Sequence, residues 1–212
     1  MNKFNLVIFD IDGTLVNSYP AIISSANHTL GKFGLKKQSK EVIKKAVGWG
    51  DVELLKPFIG DEDMNKVIRA YRKHHKKSLL RESSLMPYAA KLLSYLHKKD
   101  YKLAVASNRP SKFSYILLKH LHIKKYFDYI LCKDELRFGK PHPSILNKIM
   151  NRLNGSNDNT LYVGDMAIDV ETAKRARVTS FAVATGSSSY DELKKEHPDF
   201  LERSLKRLFN IL

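Results

Sequence analysis

The sequence of 212 residues contains a single cysteine, Cys132, and no long apolar run. One cysteine cannot form an intrachain disulfide, which is typical of proteins in a reducing compartment. No segment approaches the roughly 18 apolar residues of a membrane-spanning helix, and the first apolar run is too short for a signal peptide. We therefore expect a cytoplasmic protein without membrane contact, in which Cys132 is a buried structural thiol.

Acidic residues are also scarce. The sequence has 22 Asp and Glu but 37 Lys and Arg, which gives a formal net charge of +15. Such an excess is compatible with nucleic acid, an acidic membrane surface or small anionic substrates as partners. Most of it comes from 27 lysines, many of them in pairs, that are scattered over the whole chain. This distribution favours a generally solvated surface over one binding stripe. We expect His74 and His75, in the segment RKHHKK, on a solvated basic helix face.

Five short and nearly continuous apolar runs predict strands that are buried on both faces. Helix-period segments lie between the later runs, and this alternation predicts a parallel sheet with right-handed crossovers. The expected fold class is therefore α/β, with a Rossmann-like parallel sheet as its core. The predicted strands are Leu6–Phe9, Leu103–Ala106, Tyr129–Cys132, Leu161–Val163 and Phe181–Val183, and the predicted helices of this part are Tyr88–Lys98, Phe113–Leu121, Ser144–Leu153 and Asp169–Ala176.

The stretch from residue 17 to residue 84 breaks this alternation, since it contains no convincing strand. It is typical of three or four helices, and Ile22, Ala26 and Leu30 make one apolar stripe in the first of them. We therefore expect an α/β core of residues 1–16 and 85–212, interrupted by a helical domain of residues 17–84. The predicted helices of the insertion are Pro20–Phe33, Lys40–Val47, Val52–Phe58 and Asp63–Leu80.

Two pairs of aspartates follow predicted strands, Asp10 with Asp12 and Asp165 with Asp169. At about 4 Å and an effective dielectric near 20, two carboxylates repel by roughly 4 kcal/mol, so a cation, a shared proton or full solvation must offset their charge. Ligands of parallel α/β sheets bind beyond the carboxyl ends of the strands, and Mg²⁺ takes oxygen ligands. The pairs indicate a magnesium site, although an Asp-Gly turn at Asp12 and a helix N-cap at Asp169 are simpler alternatives.

Two further motifs place polar groups where a ligand could lie. Ser107 and Asn108 end the second predicted strand, where a hydroxyl and backbone N–H groups can hold phosphate oxygens. Lys140 lies in the segment GKPHP, whose prolines restrict the backbone. An ammonium beside carboxylates offsets their repulsion and can bind a phosphoryl oxygen. An ordinary turn at Ser107 and a solvated surface lysine at Lys140 are the alternatives.

In this order, the motifs DIDGT, ASN, GKPHP and GDMAID closely resemble those of the haloacid dehalogenase-like superfamily of phosphatases and phosphotransferases. The resemblance covers nearly the whole chain and is greatest to the phosphoglycolate-phosphatase-like branch, which has segments related to FDIDGTLVNS and AVGWGDVELLKPFIG. It implies that the helical insertion is the α-helical cap of that family. It also implies a Mg²⁺-dependent phosphatase that hydrolyses a small phosphorylated metabolite, a phosphate monoester, through an aspartyl-phosphate intermediate.

The resemblance further implies a role for each motif. Asp10 is the expected nucleophile, which attacks phosphorus, and Asp12 is the expected acid and base, which protonates the leaving oxygen and then deprotonates water. Ser107, Asn108 and Lys140 are expected to bind the phosphoryl group, and Lys140 also to screen the charge of Asp10. The expected ligands of Mg²⁺ are Asp10, the main-chain carbonyl of Asp12, Asp165 and Asp169.

Other functions stay open at this point. A phosphotransferase of the β-phosphoglucomutase kind would use the same acids, a pyrophosphatase would act on an anhydride, and a basic module without catalysis would bind nucleic acid. The intact set of acids and the lack of an aromatic-basic stripe argue against nucleic acid as a partner. Both a monomer and a homodimer are compatible with the sequence.

Four more residues are singled out by their position. Asn17, Tyr88 and Arg109 stand where many relatives have an acid, a glycine and a lysine, and we expect that none of them touches the catalytic residues. Trp49 lies between two glycines. It belongs either to a flexible loop that closes over the substrate or to the ordinary packing of the helical insertion.

Overall fold

A parallel sheet of six strands lies at the centre of the protein in the computed structural model, which describes residues 3–212. In chain order the strands are β1 (Leu6–Phe9), β2 (Val16–Asn17), β3 (Ser84–Leu85), β4 (Lys102–Ser107), β5 (Tyr129–Cys132), β6 (Thr160–Gly164), β7 (Thr179–Val183) and β8 (Phe200–Glu202). The helices are α1 (Tyr19–Lys32), α2 (Lys40–Ala46), α3 (Asp51–Leu55), α4 (Met64–Glu82), α5 (Ala89–Lys98), α6 (Ser111–His120), α7 (Ser144–Leu153), α8 (Ala167–Ala176) and α9 (Tyr190–Lys195).

The central sheet has the strand order β5-β4-β1-β6-β7-β8, and all neighbouring strands in it are parallel. The five apolar runs predicted as strands form β1 and β4–β7, so the α/β class with a Rossmann-like parallel sheet is confirmed. The strand β8 is absent from the prediction because it is a three-residue edge strand whose residues are only partly buried.

Successive residues of β1 point to opposite faces of the sheet, as the two-residue period of a strand requires. Val7 and Phe9 pack in one cluster with side chains of α5 and α6, whereas Leu6 and Ile8 pack in a second cluster with side chains of α7 and α8. Because both faces of this central strand are covered, its carboxyl end is the place where polar groups can meet a ligand.

The helices α1–α4 form the insertion and lie between β2 and β3, which pair antiparallel. Their apolar side chains form a separate hydrophobic cluster. Three of the predicted helices agree with α1, α2 and α4, whereas the third ends at Leu55 and continues as a 3-10 turn over Lys56–Phe58. The pairing of β2 with β3 is absent from the prediction because two-residue strands show no period. The division of the chain into a core and a domain of residues 17–84 stays a prediction.

Cys132 is a buried thiol, as expected from the sequence. It ends β5, and its Sγ donates a hydrogen bond to Ser114 Oγ at 3.3 Å. Burial raises the pKa of the thiol to about 12, so the side chain packs as a small apolar group. Within residues 3–212, no helix combines the length and the apolar character that crossing a membrane requires.

Candidate active site

The carboxyl ends of three neighbouring strands bring predicted site residues to one edge of the sheet. Asp10 directly follows β1, Ser107 ends β4 and Asp165 directly follows β6, and β1 lies between the other two strands. A cavity of about 50 Å³ lies at this edge. Its lining includes Asp10, Asp12, Ser107, Asn108, Arg109 and Lys140, together with Ile22, Gly48, Leu54, Tyr71 and His75 of the insertion.

The Lys140 ammonium lies between two buried carboxylates. Its Nζ donates to Asp10 Oδ1 at 2.8 Å and to Asp169 Oδ1 at 2.7 Å, and it lies 3.1 Å from Tyr162 OH. The Tyr162 hydroxyl also donates to Asp169 Oδ1 at 2.7 Å. Because the lysine side chain is only 3% exposed, a solvated surface lysine is excluded.

The charges of Asp10, Lys140 and Asp169 together favour the binding of a further cation. Burial raises the pKa of Asp10 to about 7, an effect that Lys140 opposes and that the charges of Asp169 and Asp12 reinforce. Burial alone would lower the pKa of Lys140, but its two carboxylate partners outweigh burial and hold that pKa well above its usual value. Lys140 is therefore an ammonium ion, whereas the ionised form of Asp10 needs a further cation nearby to be fully favoured.

Asp165 lies among neutral donors. Thr14 Oγ1 donates to Asp165 Oδ1 at 2.8 Å, and Tyr19 OH and the Ser187 backbone N–H both donate to Asp165 Oδ2 at 3.2 Å. Burial, followed by the charges of the two neighbouring aspartates, raises the pKa of Asp165 well above its usual value. The backbone at Gly186 also approaches closely, since a Cβ there would lie 1.5 Å from Asp165 Oδ2.

Three carboxylates form a candidate metal site. Oxygen atoms of Asp10, Asp165 and Asp169 lie within 4.8 Å of one another, and all three residues are buried. Lys140 supplies one positive charge against three carboxylates, so a divalent cation would balance the charge and lower the carboxylate pKa values. Buried carboxylate oxygens also fit Mg²⁺ as ligands. The Asp12 side chain lies outside this group, and its main-chain contact to the metal stays a prediction.

The Asp12 carboxylate is held by Arg109. Arg109 Nε donates to Asp12 Oδ2 at 2.9 Å and Arg109 Nη2 donates to Asp12 Oδ1, which also accepts from Ser18 Oγ. Burial alone would raise the pKa of Asp12, but the charge and hydrogen bonds of Arg109 lower it below its usual value. The expectation that Arg109 touches none of the predicted catalytic residues is therefore wrong. Its position directly after the Ser-Asn motif is the signal that could have identified it.

His75 requires a second correction, because it is buried and not solvated. It is 3% exposed, and its Nε2 lies 3.0 Å from Arg109 Nη1. Burial and then the charge of Arg109 lower the pKa of His75 to about 3, so the ring is neutral and Nε2 accepts the hydrogen bond. Tyr71, His75 and Leu79 recur every four residues on the buried side of α4, which is the helical period that the basic neighbours obscure. His74 is partly buried.

Ser107 and Asn108 are both buried at the end of β4. Asn108 Nδ2 donates to Gly48 O at 2.8 Å and to Lys140 O at 3.1 Å, and Asn108 Oδ1 accepts from the Lys140 backbone N–H at 2.8 Å. The Asn108 side chain therefore links the end of β4 by hydrogen bonds to the backbone of Lys140 and to the insertion. Ser107 Oγ accepts from the Arg109 backbone N–H at 3.2 Å, and a hydroxyl that accepts a hydrogen bond still has its own proton to donate.

The loop around Trp49 contacts the core through its backbone. Gly48 O accepts from Asn108, and Trp49 O accepts from Lys133 Nζ at 2.9 Å. The Trp49 residue is 45% exposed, and the cavity lining includes Gly48 and Gly50 but not Trp49. The Trp49 side chain therefore belongs neither to the lining of the cavity nor to the buried packing of the insertion.

Comparisons with known proteins give the family of the chain. The family model for haloacid dehalogenase-like hydrolases matches residues 7–183. A phosphoglycolate phosphatase from Aquifex aeolicus (strain VF5) is 30% identical over 195 residues, which cover 92% of this chain and 90% of the relative. A pyrophosphatase named PpaX, from Halalkalibacterium halodurans, is 28% identical over 212 residues, which cover 99% of this chain and 97% of the relative.

Two solved structures share the fold over nearly the whole chain. The crystal structure of a predicted phosphoglycolate phosphatase from Haemophilus somnus 129PT superposes with a TM-score of 0.95 at 25% identity, and the match covers 100% of this chain and 99% of the other. The crystal structure of CbbY from Rhodobacter sphaeroides in complex with phosphate shares the fold at 20% identity, with a TM-score of 0.85. From the family match and the 30% identical relative, the chain belongs to the haloacid dehalogenase-like hydrolase family.

Proposed function

We propose that the protein is a Mg²⁺-dependent phosphatase that hydrolyses a small phosphate monoester through an aspartyl-phosphate on Asp10. The proposal is carried by one observation, the meeting of Asp10, Lys140, Asp165 and Asp169 at one edge of the sheet although they come from separate segments of the chain. Its support includes the similarity to a phosphoglycolate phosphatase.

In the first step, a carboxylate oxygen of Asp10 attacks phosphorus while the bond from phosphorus to the leaving oxygen breaks. The hydrogen bond from Lys140 Nζ to Asp10 Oδ1 orients this carboxylate, and the ammonium charge favours its ionised form. Mg²⁺ held by Asp10, Asp165 and Asp169 would supply further positive charge for the nucleophile and for the phosphoryl oxygens. Water then hydrolyses the aspartyl-phosphate and releases phosphate.

Asp12 serves as the acid and base in this proposal. It gives a proton to the leaving oxygen in the first step and takes one from the attacking water in the second. In the structure, Arg109 holds both of its carboxylate oxygens. The Asp12 side chain therefore has to leave this guanidinium, which lowers its pKa, and bind a proton before it can protonate the leaving oxygen.

The phosphoryl group is bound by the end of β4 and by Lys140. The Ser107 hydroxyl and the backbone N–H groups around Asn108 are the proposed neutral donors, and the Lys140 ammonium is the charged one. The side chain of Asn108 contributes indirectly, because its hydrogen bonds to the Lys140 backbone hold the lysine segment against β4.

The insertion acts as a cap over this site. Residues 17–84 are the proposed cap domain, and residues 1–16 with 85–212 are the proposed catalytic core. Support comes from the cavity, because Ile22, Leu54 and Tyr71 of the insertion line it together with the groups at the sheet edge. Apolar side chains in these places exclude water from the first step and restrict the size of the substrate.

A pyrophosphatase is the second candidate. A relative named pyrophosphatase matches 99% of the chain, and cleavage of an anhydride would use the same nucleophile and metal ligands. A phosphotransferase would differ in its acceptor, since a sugar hydroxyl and not water would take the phosphoryl group from Asp10.

The test is turnover of p-nitrophenyl phosphate with Mg²⁺, after chelation, and after readdition of Mg²⁺. The wild type is compared with Asp10→Asn and with the control Asp191→Asn, which changes an exposed aspartate of α9. We expect chelation to stop turnover reversibly, Asp10→Asn to reduce kcat by at least about 10³-fold, and the control to match the wild type.

Substantial turnover without a divalent metal, or an Asp10→Asn protein as active as the wild type, would contradict the proposed chemistry. Release of free phosphate distinguishes hydrolysis from transfer to a sugar. Salt-sensitive retention of DNA without any turnover would support a nucleic-acid-binding module instead.

A further inference from the structure

We propose that the Arg109 guanidinium binds a second anionic group of the substrate, a carboxylate or a second phosphate, and that the Asp12 carboxylate marks the position of this group. The inference rests on the proposed phosphatase function and names a class of substrate within it. A substrate of this class carries its second anion close to the phosphoryl group that is transferred, because Asp10 and Arg109 line the same small cavity.

The first argument is the geometry of the guanidinium. Arg109 is 7% exposed. Its Nε and Nη2 donate hydrogen bonds to the two oxygens of the Asp12 carboxylate. A planar fork of this kind matches a carboxylate or a phosphate better than any other group. The site therefore already binds an anion of the proposed shape, which Asp12 supplies from within the chain.

The second argument is that neighbouring residues fix the guanidinium in place. His75 Nε2 accepts from Arg109 Nη1 at 3.0 Å, and His75 Nδ1 lies 3.1 Å from Ser25 Oγ, which donates to Ala21 O at 2.7 Å. Because an arginine only donates hydrogen bonds, His75 Nε2 must accept, and Nδ1 therefore carries the proton toward Ser25. This chain of hydrogen bonds reaches from the insertion to the cavity, so Arg109 is positioned independently of Asp12.

The third argument is the charge of the cavity lining. Lys140 is engaged with Asp10 and Asp169, and among residues 3–212 Arg109 is the other cation that lines the cavity. The cavity lining also includes apolar side chains such as Leu54 and Phe113, beside which an unpaired charge is costly. With a neutral substrate tail, Arg109 would stay paired with Asp12. An anionic tail can replace Asp12 as the partner of the guanidinium, and the Asp12 side chain is then free to reach the leaving oxygen.

The test compares phosphate esters that differ in the charge of the tail. Phosphoglycolate and 2-hydroxyethyl phosphate have nearly the same size, but only the first has a carboxylate. Pyrophosphate is an anhydride with its second phosphate directly on the leaving oxygen, so a preference for it supports the inference only where Arg109→Gln removes that preference. For the wild type, we expect kcat/KM for at least one of the two anionic substrates to exceed that for 2-hydroxyethyl phosphate by about 10²-fold, as expected for charged hydrogen bonds in a buried site. Which one is preferred distinguishes a carboxylate from a phosphate.

The variant Arg109→Gln assigns this preference to the guanidinium. We expect the ratio of kcat/KM between the preferred anionic substrate and 2-hydroxyethyl phosphate to fall about 10²-fold in this variant. The matched control is Arg207→Gln, which changes an exposed arginine paired with Glu202, and it should keep the wild-type ratio. Because the readout is a ratio within one protein, partial loss of folded material does not affect it.

Three outcomes would overturn the inference. The wild type could hydrolyse the charged and neutral esters with equal kcat/KM, or Arg109→Gln could lower both equally, in which case Arg109 only positions Asp12. If neither these esters nor p-nitrophenyl phosphate is hydrolysed, the proposed function fails together with the inference. Equal turnover of all esters refutes the inference alone.

Discussion

The buried imidazole of His75 should make the stability of the fold depend on pH, and His75→Gln should remove this contribution. Burial and the charge of Arg109 lower the pKa of His75 to about 3 in the folded protein, whereas a histidine in an unfolded chain has a pKa of about 6.5. Between these two values the unfolded chain binds a proton that the folded protein does not. Stability therefore falls as the pH drops from about 6.5 toward about 3, and it is fully present above about 6.5.

The size of the effect follows from the two pKa values. Between about pH 7.5 and about pH 5, a shift from about 6.5 to about 3 changes the free energy of unfolding by about 2 kcal/mol. Glutamine does not titrate in this range, and its side-chain oxygen can still accept from Arg109. The absolute stability of the variant can differ from that of the wild type, but the 2 kcal/mol dependence on pH should be missing.

Urea unfolding of both proteins at the two pH values, with a chelator present, measures this difference. Asp10 contributes with the opposite sign, because its folded pKa is raised to about 7 and its stabilising effect is lost as the pH rises through that value. This contribution is shared by both proteins and cancels when their pH dependences are subtracted. If wild type and His75→Gln lose the same free energy between the two pH values, His75 is not held neutral as described.

Three further outcomes are expected. Gly186→Ala should raise the Mg²⁺ concentration needed for half-maximal turnover, because the new Cβ would lie 1.5 Å from Asp165 Oδ2; a titration like that of the wild type would refute this. Cys132 should resist a thiol reagent in the native protein and react after unfolding, since burial raises its pKa to about 12; rapid native labelling would contradict its burial. Lys140→Met should lower the free energy of unfolding by about 3–5 kcal/mol in a chelator, as expected when one partner of a buried ion pair is removed, whereas the exposed control Lys148→Met should change it little; equal urea midpoints would show that the buried pair contributes nothing.

The sheet and the predicted site residues could be identified from the sequence because both depend on local patterns. A strand buried on both faces must be an apolar run, and β1 and β6 are each followed directly by an aspartate that the sequence shows. Parallel strands then bring their carboxyl ends to one edge. The meeting of Asp10 and Lys140 follows from this topology together with the resemblance to a known family.

The contact of His75 with Arg109 could not be predicted, because it joins the insertion to the core, and the distance between them depends on how the insertion packs. His75 lies among lysines and arginines, so composition suggests solvent, and only its four-residue spacing from Tyr71 and Leu79 indicates burial. Tyr162 is a similar case, since an apolar strand residue gives no sign that its hydroxyl will reach Asp169. β8 was not predicted because an edge strand of three residues has too little periodicity.

The central claim, that phosphoryl transfer passes through Asp10 at this cluster, is tested most directly by trapping the intermediate. The protein is mixed with Mg²⁺ and a phosphate ester that it turns over, quenched with acid within the first turnover, digested and analysed by tandem mass spectrometry. We predict one phosphoryl group on the carboxylate of Asp10, present with Mg²⁺ and absent after chelation. A phosphoryl group on another residue, or turnover with no phosphorylated peptide at any quench time, would contradict the account.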